Sequence, residues 1–109
     1  MSDTALQRLA ATIRARRSEP ASKSYTRELL DAGPGHCAKK LGEEATETVI
    51  AALTQDERAL TREAADLLYH LLVLLEIKNV PFSNVLAELE HRMGTSGLAE
   101  KASRGQGQP

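Results

Sequence analysis

Apolar residues recur at helical spacing along most of the chain, and no stretch shows the alternation of a half-buried strand. Over residues 4 to 17, Leu6, Leu9, Ala10 and Ile13 form one stripe, with Arg8, Arg14, Arg16 and Arg17 around it. Pro20 closes that helix. The stretch SKSYTRELLDA, residues 22 to 32, predicts a loop entering a short helix that Gly33 and Pro34 end. A third helix is predicted over about 35 to 53, with Leu41, Ala45, Val49 and Ala52 on one arc. Gly42 falls inside it, where glycine costs about 1 kcal/mol relative to alanine. Such a glycine often admits the close approach of another backbone. Thr54, with Glu57 three residues on, predicts a capping box that opens a fourth helix over about 55 to 78.

Within that fourth helix the run LLYHLLVLL is apolar almost all the way round. A helix of this kind is buried on most sides. A domain this small cannot surround it alone, so self-association with this helix at the shared core is expected. Asn79 and Pro81 mark its end, and Ser83 can cap a fifth helix with Val85, Leu86, Leu89 and Met93 on one face. Gly94 and Gly97 close the ordered part, and the polar, glycine-rich tail predicts disorder. The expected fold is therefore all-α: a helical bundle of about five helices over residues 1–94, completed by dimerisation, with a polar tail over 95–109.

Composition supports that picture. A chain of 109 residues suits one domain. Aromatic residues are only 3%, so the core must be built from Leu, Ala, Val and Ile, which favours packed helices over a sheet. The net charge of -1 gives no sign of a nucleic-acid binder. The single cysteine, Cys37, rules out an internal disulfide and a multi-cysteine zinc site, and reads as a small buried hydrophobe. The N-terminus lacks the continuous apolar region of a signal peptide, and no segment has the apolar length to span a bilayer. A soluble, cytoplasmic protein with no membrane partner is expected.

The charge pattern carries the chemistry. In KKLGEEATE, residues 39 to 47, Glu44 and Glu47 are three apart and share a helix face. Lys40 lies one turn before Glu44, while Glu43 is displaced to the flank with Lys39 one turn before it. On the next helix Glu63 and Asp66 are again three apart, His70 extends their stripe, and Leu60, Leu67 and Leu74 flank it closely. If the two helices form an antiparallel hairpin, four carboxylates can converge in a partly buried space. Like charges so close would raise one another's pKa, and a hard divalent cation removes the difficulty. Mg²⁺ prefers oxygen ligands, and carboxylate pairs on facing helices are a known way to build such a site in a bundle. The alternative is an ordinary solvated face, with Lys39–Glu43 and Lys40–Glu44 as i, i+4 pairs. His70 is either a core histidine with one hydrogen bond or a residue behind the acids, and Tyr69 a core or interface residue with its hydroxyl satisfied.

EExxE followed by ExxD, here Glu43, Glu44 and Glu47 with Glu63 and Asp66, resembles the all-α nucleoside-triphosphate pyrophosphohydrolases, the MazG-like enzymes. A narrower likeness runs from about residue 5 to residue 93. The stretches SYTRELLDAGPGHCAKKLGEEATETVIAA, EAADLLYHLLVLL and VLAELEHR are similar to the phosphoribosyl-ATP pyrophosphohydrolases of histidine biosynthesis. The resemblance implies Mg²⁺-dependent hydrolysis of the α–β phosphoanhydride of phosphoribosyl-ATP, giving phosphoribosyl-AMP and pyrophosphate, by a helical oligomer, commonly a dimer. It implies metal ligation by Glu44, Glu47, Glu63 and Asp66, with Glu43 as an outer ligand or a residue that orients water. Lys39 and Lys40 would meet phosphate oxygens. Ser24, Tyr25 and Thr26 would offer hydroxyls to phosphate or ribose, or cap the short helix, and Arg27 with Arg14 or Arg17 would add positive charge. Some members carry a fused cyclohydrolase for the next step. This chain has no room for one, so another protein is expected to perform it. Two other functions are compatible with the acids: a house-cleaning pyrophosphatase for non-standard nucleoside triphosphates, and an inert helical dimerisation module.

Overall fold

The computed structural model of the chain describes residues 4–94. Five α-helices follow one another there: α1 (Ala5–Ala15), α2 (Tyr25–Ala32), α3 (Pro34–Thr54), α4 (Glu57–Ile77) and α5 (Phe82–Met93). Among the described residues there is no strand. The all-α expectation holds, and the expected tail over 95–109 lies outside the described residues.

Helix α1 opens on a capping box. Thr4 Oγ1 accepts from the Gln7 amide at 3.2 Å, and the Gln7 side chain accepts from the Thr4 amide at 2.7 Å. It ends at Ala15, earlier than the arginine run suggests, because Arg16–Ser18 tighten into a 3₁₀ turn. A second such turn, Ala21–Lys23, follows Pro20. Ser24 then caps α2, its Oγ accepting from the Arg27 amide at 3.1 Å.

Gly33 joins α2 to α3 at φ 99°, and Pro34 stands at the first position of α3, where its missing N–H costs nothing. Helices α3 and α4 have 21 residues each and are linked only by Gln55 and Asp56. So short a link forces an antiparallel hairpin, which is the backbone of the fold. The expected capping box on Thr54 does not form. Thr54 is the last residue of α3, with its hydroxyl on the Ile50 carbonyl at 2.8 Å. Asp56 is the cap instead, accepting from the Ala59 amide at 2.9 Å, because its carboxylate is a strong acceptor at the positive end of the α4 dipole.

The end of α4 is a Schellman motif. Asn79 takes φ 59°, its amide bonds to the Glu76 carbonyl at 3.0 Å, and the Val80 amide bonds to the Leu75 carbonyl at 2.9 Å. Helix α5 starts at Phe82 after Pro81, without a side-chain cap. Ser83 is therefore inside the first turn rather than at the cap, because the extended backbone of Pro81 already makes the entry.

The core consists of Ile13 from α1, Leu29 from α2, Cys37 from α3, and Leu72 and Val73 from α4. Leu6, Leu9, Tyr69, Leu75, Ile77 and Phe82 pack around it. Cys37 is the buried small hydrophobe expected of it: its thiol donates to the Leu29 carbonyl at 3.2 Å, and burial raises its pKa. Val49, Ile50 and Leu53 of α3, Leu68 of α4, and Leu89 and Met93 of α5 remain exposed, and α5 has no buried residue. Among the described residues no helix is long and apolar enough to cross a membrane.

Gly42 does not admit a close backbone neighbour. A Cβ built there meets nothing within 4 Å. The two glycines should thus respond oppositely to alanine. Gly42→Ala should stabilise the fold by about 0.5–1 kcal/mol through helix propensity. Gly33→Ala should destabilise it by about 1–3 kcal/mol through backbone strain. Urea unfolding of both variants checks the opposite signs.

Candidate functional site

The hairpin places the acidic faces of α3 and α4 opposite each other. One carboxylate oxygen each from Glu44, Glu63 and Asp66 can be chosen so that all lie within 4.8 Å of one another. They form a gradient: Glu44 is buried, with 9% of its surface exposed, Glu63 is half-buried and Asp66 is exposed at the mouth. Thr48 pins the two helices beside them. Its hydroxyl lies 2.8 Å from the Glu44 carbonyl and 3.2 Å from the Glu63 carbonyl.

Burial, first of all, raises the pKa of both Glu44 and Glu63. Repulsion from Glu47 and then Asp66 raises them further. Glu47 is exposed and stands outside the closest group, yet its carboxyl touches both glutamates. Glu44 Oε2 and Glu63 Oε2 are buried without any hydrogen-bond partner. Acceptor atoms in that condition carry an energetic penalty that only a donor or a cation relieves. An all-oxygen donor set with two orphaned, buried carboxylate oxygens fits a hard divalent cation.

Around this group stand the other residues named from the sequence. Lys40 is half-buried and its ammonium lies 3.3 Å from Glu43 Oε1, which makes the pair i, i+3 rather than the i, i+4 pairing with Glu44. That hydrogen bond is the main cause of its raised pKa, with the nearby phenol of Tyr25 next. Glu43 is exposed on the flank and holds Lys40. Lys39 is exposed on the outer surface, where it borders a shallow depression with Gly42, Glu43, Thr46 and Glu47.

The three hydroxyl residues separate. Ser24 is used as the α2 cap, and the Thr26 hydroxyl pairs with that of Tyr69 at 2.5 Å in a part-buried contact. Tyr25 alone is exposed. Arg27 and Arg17 are occupied structurally. Arg27 donates to the carbonyls of Arg17 at 2.9 Å and Glu19 at 2.8 Å and to Asp31 at 2.8 Å. Arg17 ties the 3₁₀ turn to Glu76 and Asn79, where with Arg14 it borders a cleft of about 350 Å³ at the other end of α4 from the acids.

His70 completes the inner wall. Its Nδ1 lies 2.9 Å from the Asp66 carbonyl, which can only accept, so Nδ1 carries the proton. Nε2 is buried without a partner, on a ring close enough to Glu44 to act on its charge. Two features escape a reading of helical faces. Arg16 comes near enough to Tyr69 to act on its phenol, and Tyr25, Tyr69 and His70 form one aromatic cluster. The only sequence signal for the cluster is that both tyrosines of an aromatic-poor chain flank acid-bearing elements.

Fold and site together define an all-α protein that gathers carboxylates from facing helices, the arrangement of cation sites in helical bundles. The chain belongs to the phosphoribosyl-ATP pyrophosphohydrolase family, whose pattern it matches over residues 6–93. Three similar proteins are each named phosphoribosyl-ATP pyrophosphatase. That of Novosphingobium aromaticivorans is 59% identical over 99 residues, 91% of this chain and 92% of its own length. That of Rhizorhabdus wittichii is 58% identical over 102 residues, 94% of this chain and 96% of its own. That of Rhodobacter capsulatus is 54% identical over 102 residues, 94% of this chain and 99% of its own.

The raised carboxyls set a pH dependence. The metal-free fold holds protons on Glu44 and Glu63 more tightly than the unfolded chain does. The stabilisation this brings is complete below the ordinary glutamate value of 4.5 and is lost as pH rises through the raised values. A divalent cation held by these carboxylates would favour their deprotonated form, so any stabilisation by added Mg²⁺ should grow in the same direction. Thermal unfolding from about pH 5 to about pH 8, with chelator or with Mg²⁺, checks both trends. Glu44→Gln should flatten them.

Proposed function

We propose that the chain hydrolyses phosphoribosyl-ATP to phosphoribosyl-AMP and pyrophosphate, with Mg²⁺, as the second step of histidine biosynthesis in the cytoplasm. Family membership supports the reaction. The single observation that carries the chemistry is the convergence of Glu44, Glu63 and Asp66 within 4.8 Å, with two buried carboxylate oxygens unpartnered. These three, with Glu47 against them, would hold Mg²⁺, which when bound supplies positive charge against the phosphates and acidifies water.

The chain's own residues do the rest. Glu43 holds the Lys40 ammonium at the mouth of the site, where it can neutralise charge on the departing pyrophosphate. Thr48 holds α3 and α4 at the spacing the carboxylates need. His70, fixed by its bond to the Asp66 carbonyl, closes the inner side against bulk water. Pyrophosphate release from phosphoribosyl-ATP, compared with ordinary and non-standard nucleoside triphosphates with and without Mg²⁺, tests this function. A preference for the non-standard triphosphates would make the chain a house-cleaning enzyme, and no release from any would leave an inert helical module. Glu44→Gln and Asp66→Asn should each lower turnover more than about a hundredfold while the fold survives. Lys40→Ala should lower kcat/KM more than about tenfold without changing the unfolding midpoint.

The same reading includes a dimer. Leu53 is 80% exposed, and with Val49, Ile50, Leu68, Leu89 and Met93 it leaves apolar surface on α3, α4 and α5 that one protomer does not cover. A second copy would bury it. Light scattering at micromolar concentration should give twice the chain mass. Leu53→Asp, which disturbs no buried contact within the protomer, should shift the protein to a monomer.

A further inference from the structure

Tyr25 presents an anomaly: it is 52% exposed, although the chain has only two tyrosines, one phenylalanine and no tryptophan. It is also firmly placed. Its ring is nearly parallel to that of Tyr69, at 6.4 Å between centroids and 19° between planes. Tyr69 in turn is half-buried and anchored by its hydroxyl contact with Thr26 at 2.5 Å. The His70 ring meets both tyrosines edge-on, at 5.0 Å from Tyr69 and 6.4 Å from Tyr25. These are the preferred geometries of aromatic pairs, so the cluster is rigid without covering the outer part of the Tyr25 ring.

The cluster is also joined to the acid site. The same imidazole that touches both tyrosines bonds to the Asp66 carbonyl. It is only 6% exposed, its Nε2 is unpartnered, and its ring is close enough to Glu44 to act on that carboxyl. The phenol of Tyr25 lies close to Lys40, the cation at the mouth of the site. An exposed, rigid aromatic ring therefore stands one imidazole away from the carboxylates and next to a phosphate-directed ammonium. A nucleotide whose phosphates lie at Lys40 and the acids would bring its base to this ring.

We propose that the ring of Tyr25 is the stacking platform for the purine base of the substrate, held in place by Tyr69 and His70. This rests on the hydrolytic function above and adds the subsite that recognises the base. Every base has a π-face, and stacking on an aromatic side chain is a strong, hydroxyl-independent contact. The role of Tyr25 is then carried by its ring, and the phenol is dispensable.

Two measurements test it. In steady-state hydrolysis of phosphoribosyl-ATP with saturating Mg²⁺, Tyr25→Leu should raise KM about tenfold with kcat within about twofold, whereas Tyr25→Phe should keep KM within about twofold. An unchanged KM in Tyr25→Leu, an equal loss in Tyr25→Phe, or a change of oligomeric state in Tyr25→Leu would each overturn the proposal. The second measurement needs no turnover. Because the chain has no tryptophan, Tyr25→Trp introduces its only indole. AMP should quench that fluorescence saturably, while ribose 5-phosphate and inorganic tripolyphosphate should not. Absence of quenching by AMP, or equal quenching by tripolyphosphate, refutes base stacking even if Tyr25→Leu fails to fold. A wild-type protein that releases no pyrophosphate from phosphoribosyl-ATP would defeat the hydrolytic function instead, and the AMP titration would still report on the ring.

Discussion

Repulsion among carboxylates on two facing helices is the constraint around which this protein is arranged. Left to themselves, Glu44, Glu47, Glu63 and Asp66 would separate; burial first, and repulsion from Glu47 and Asp66 after it, raise the pKa of Glu44 and Glu63. The hairpin does not let them separate. Its two-residue link sets the register, and Thr48 bridges the two backbones beside the acids. Leu72, Val73 and Cys37 lock the same helices through the core. Apolar packing elsewhere in the hairpin therefore keeps the acids close together. Their geometry is preorganised for positive charge, which is what a phosphoanhydride substrate requires.

The segment from Arg16 to Ala32 acts as a strap across that hairpin. Arg27 binds three oxygens of the strap and α2, and Arg17 ties the strap to the end of α4. These arginines look on paper like phosphate ligands, but their guanidinium groups are spent on backbone carbonyls and on the side chains of Asp31, Glu76 and Asn79. The positive charge beside the acids comes from Lys40, placed by Glu43. One consequence of the strap is positional: it fixes the first turn of α2, and with it Tyr25, against His70 and Lys40. The proposed base platform and the Lys40 ammonium thus stand together at one edge of the acid group.

The apolar residues of the described helices divide between a closed core and an uncovered face. The core on the α1 and α2 side is closed within the protomer, whereas the far faces of α3, α4 and α5 keep leucine, isoleucine, valine and methionine in water. Within the apolar run of α4 only Leu68 is exposed, and α3 and α5 carry most of the uncovered apolar surface. This division fits the size of the chain, since 109 residues can bury only a modest core.

Sequence alone determined what local periodicity and local chemistry control. The five helices, the stop at Asn79 and Pro81, and the acid faces of α3 and α4 follow from 3.6-residue spacing and backbone preference, which act between near neighbours. Some local signals misled. Thr54 was the expected cap of α4, but α3 runs on through Thr54 and Asp56 takes the position instead. Gly42 signalled a close contact that packing does not supply. Tertiary structure decided how the acids divide, with Glu44 buried, Asp66 at the mouth and Glu47 at the side, since burial depends on what faces a residue from the other helix. It also decided the pairing of Thr26 with Tyr69 across 43 residues, and with it the aromatic cluster. No periodicity encodes a contact of that range; only the closing of the strap over the hairpin brings those rings together.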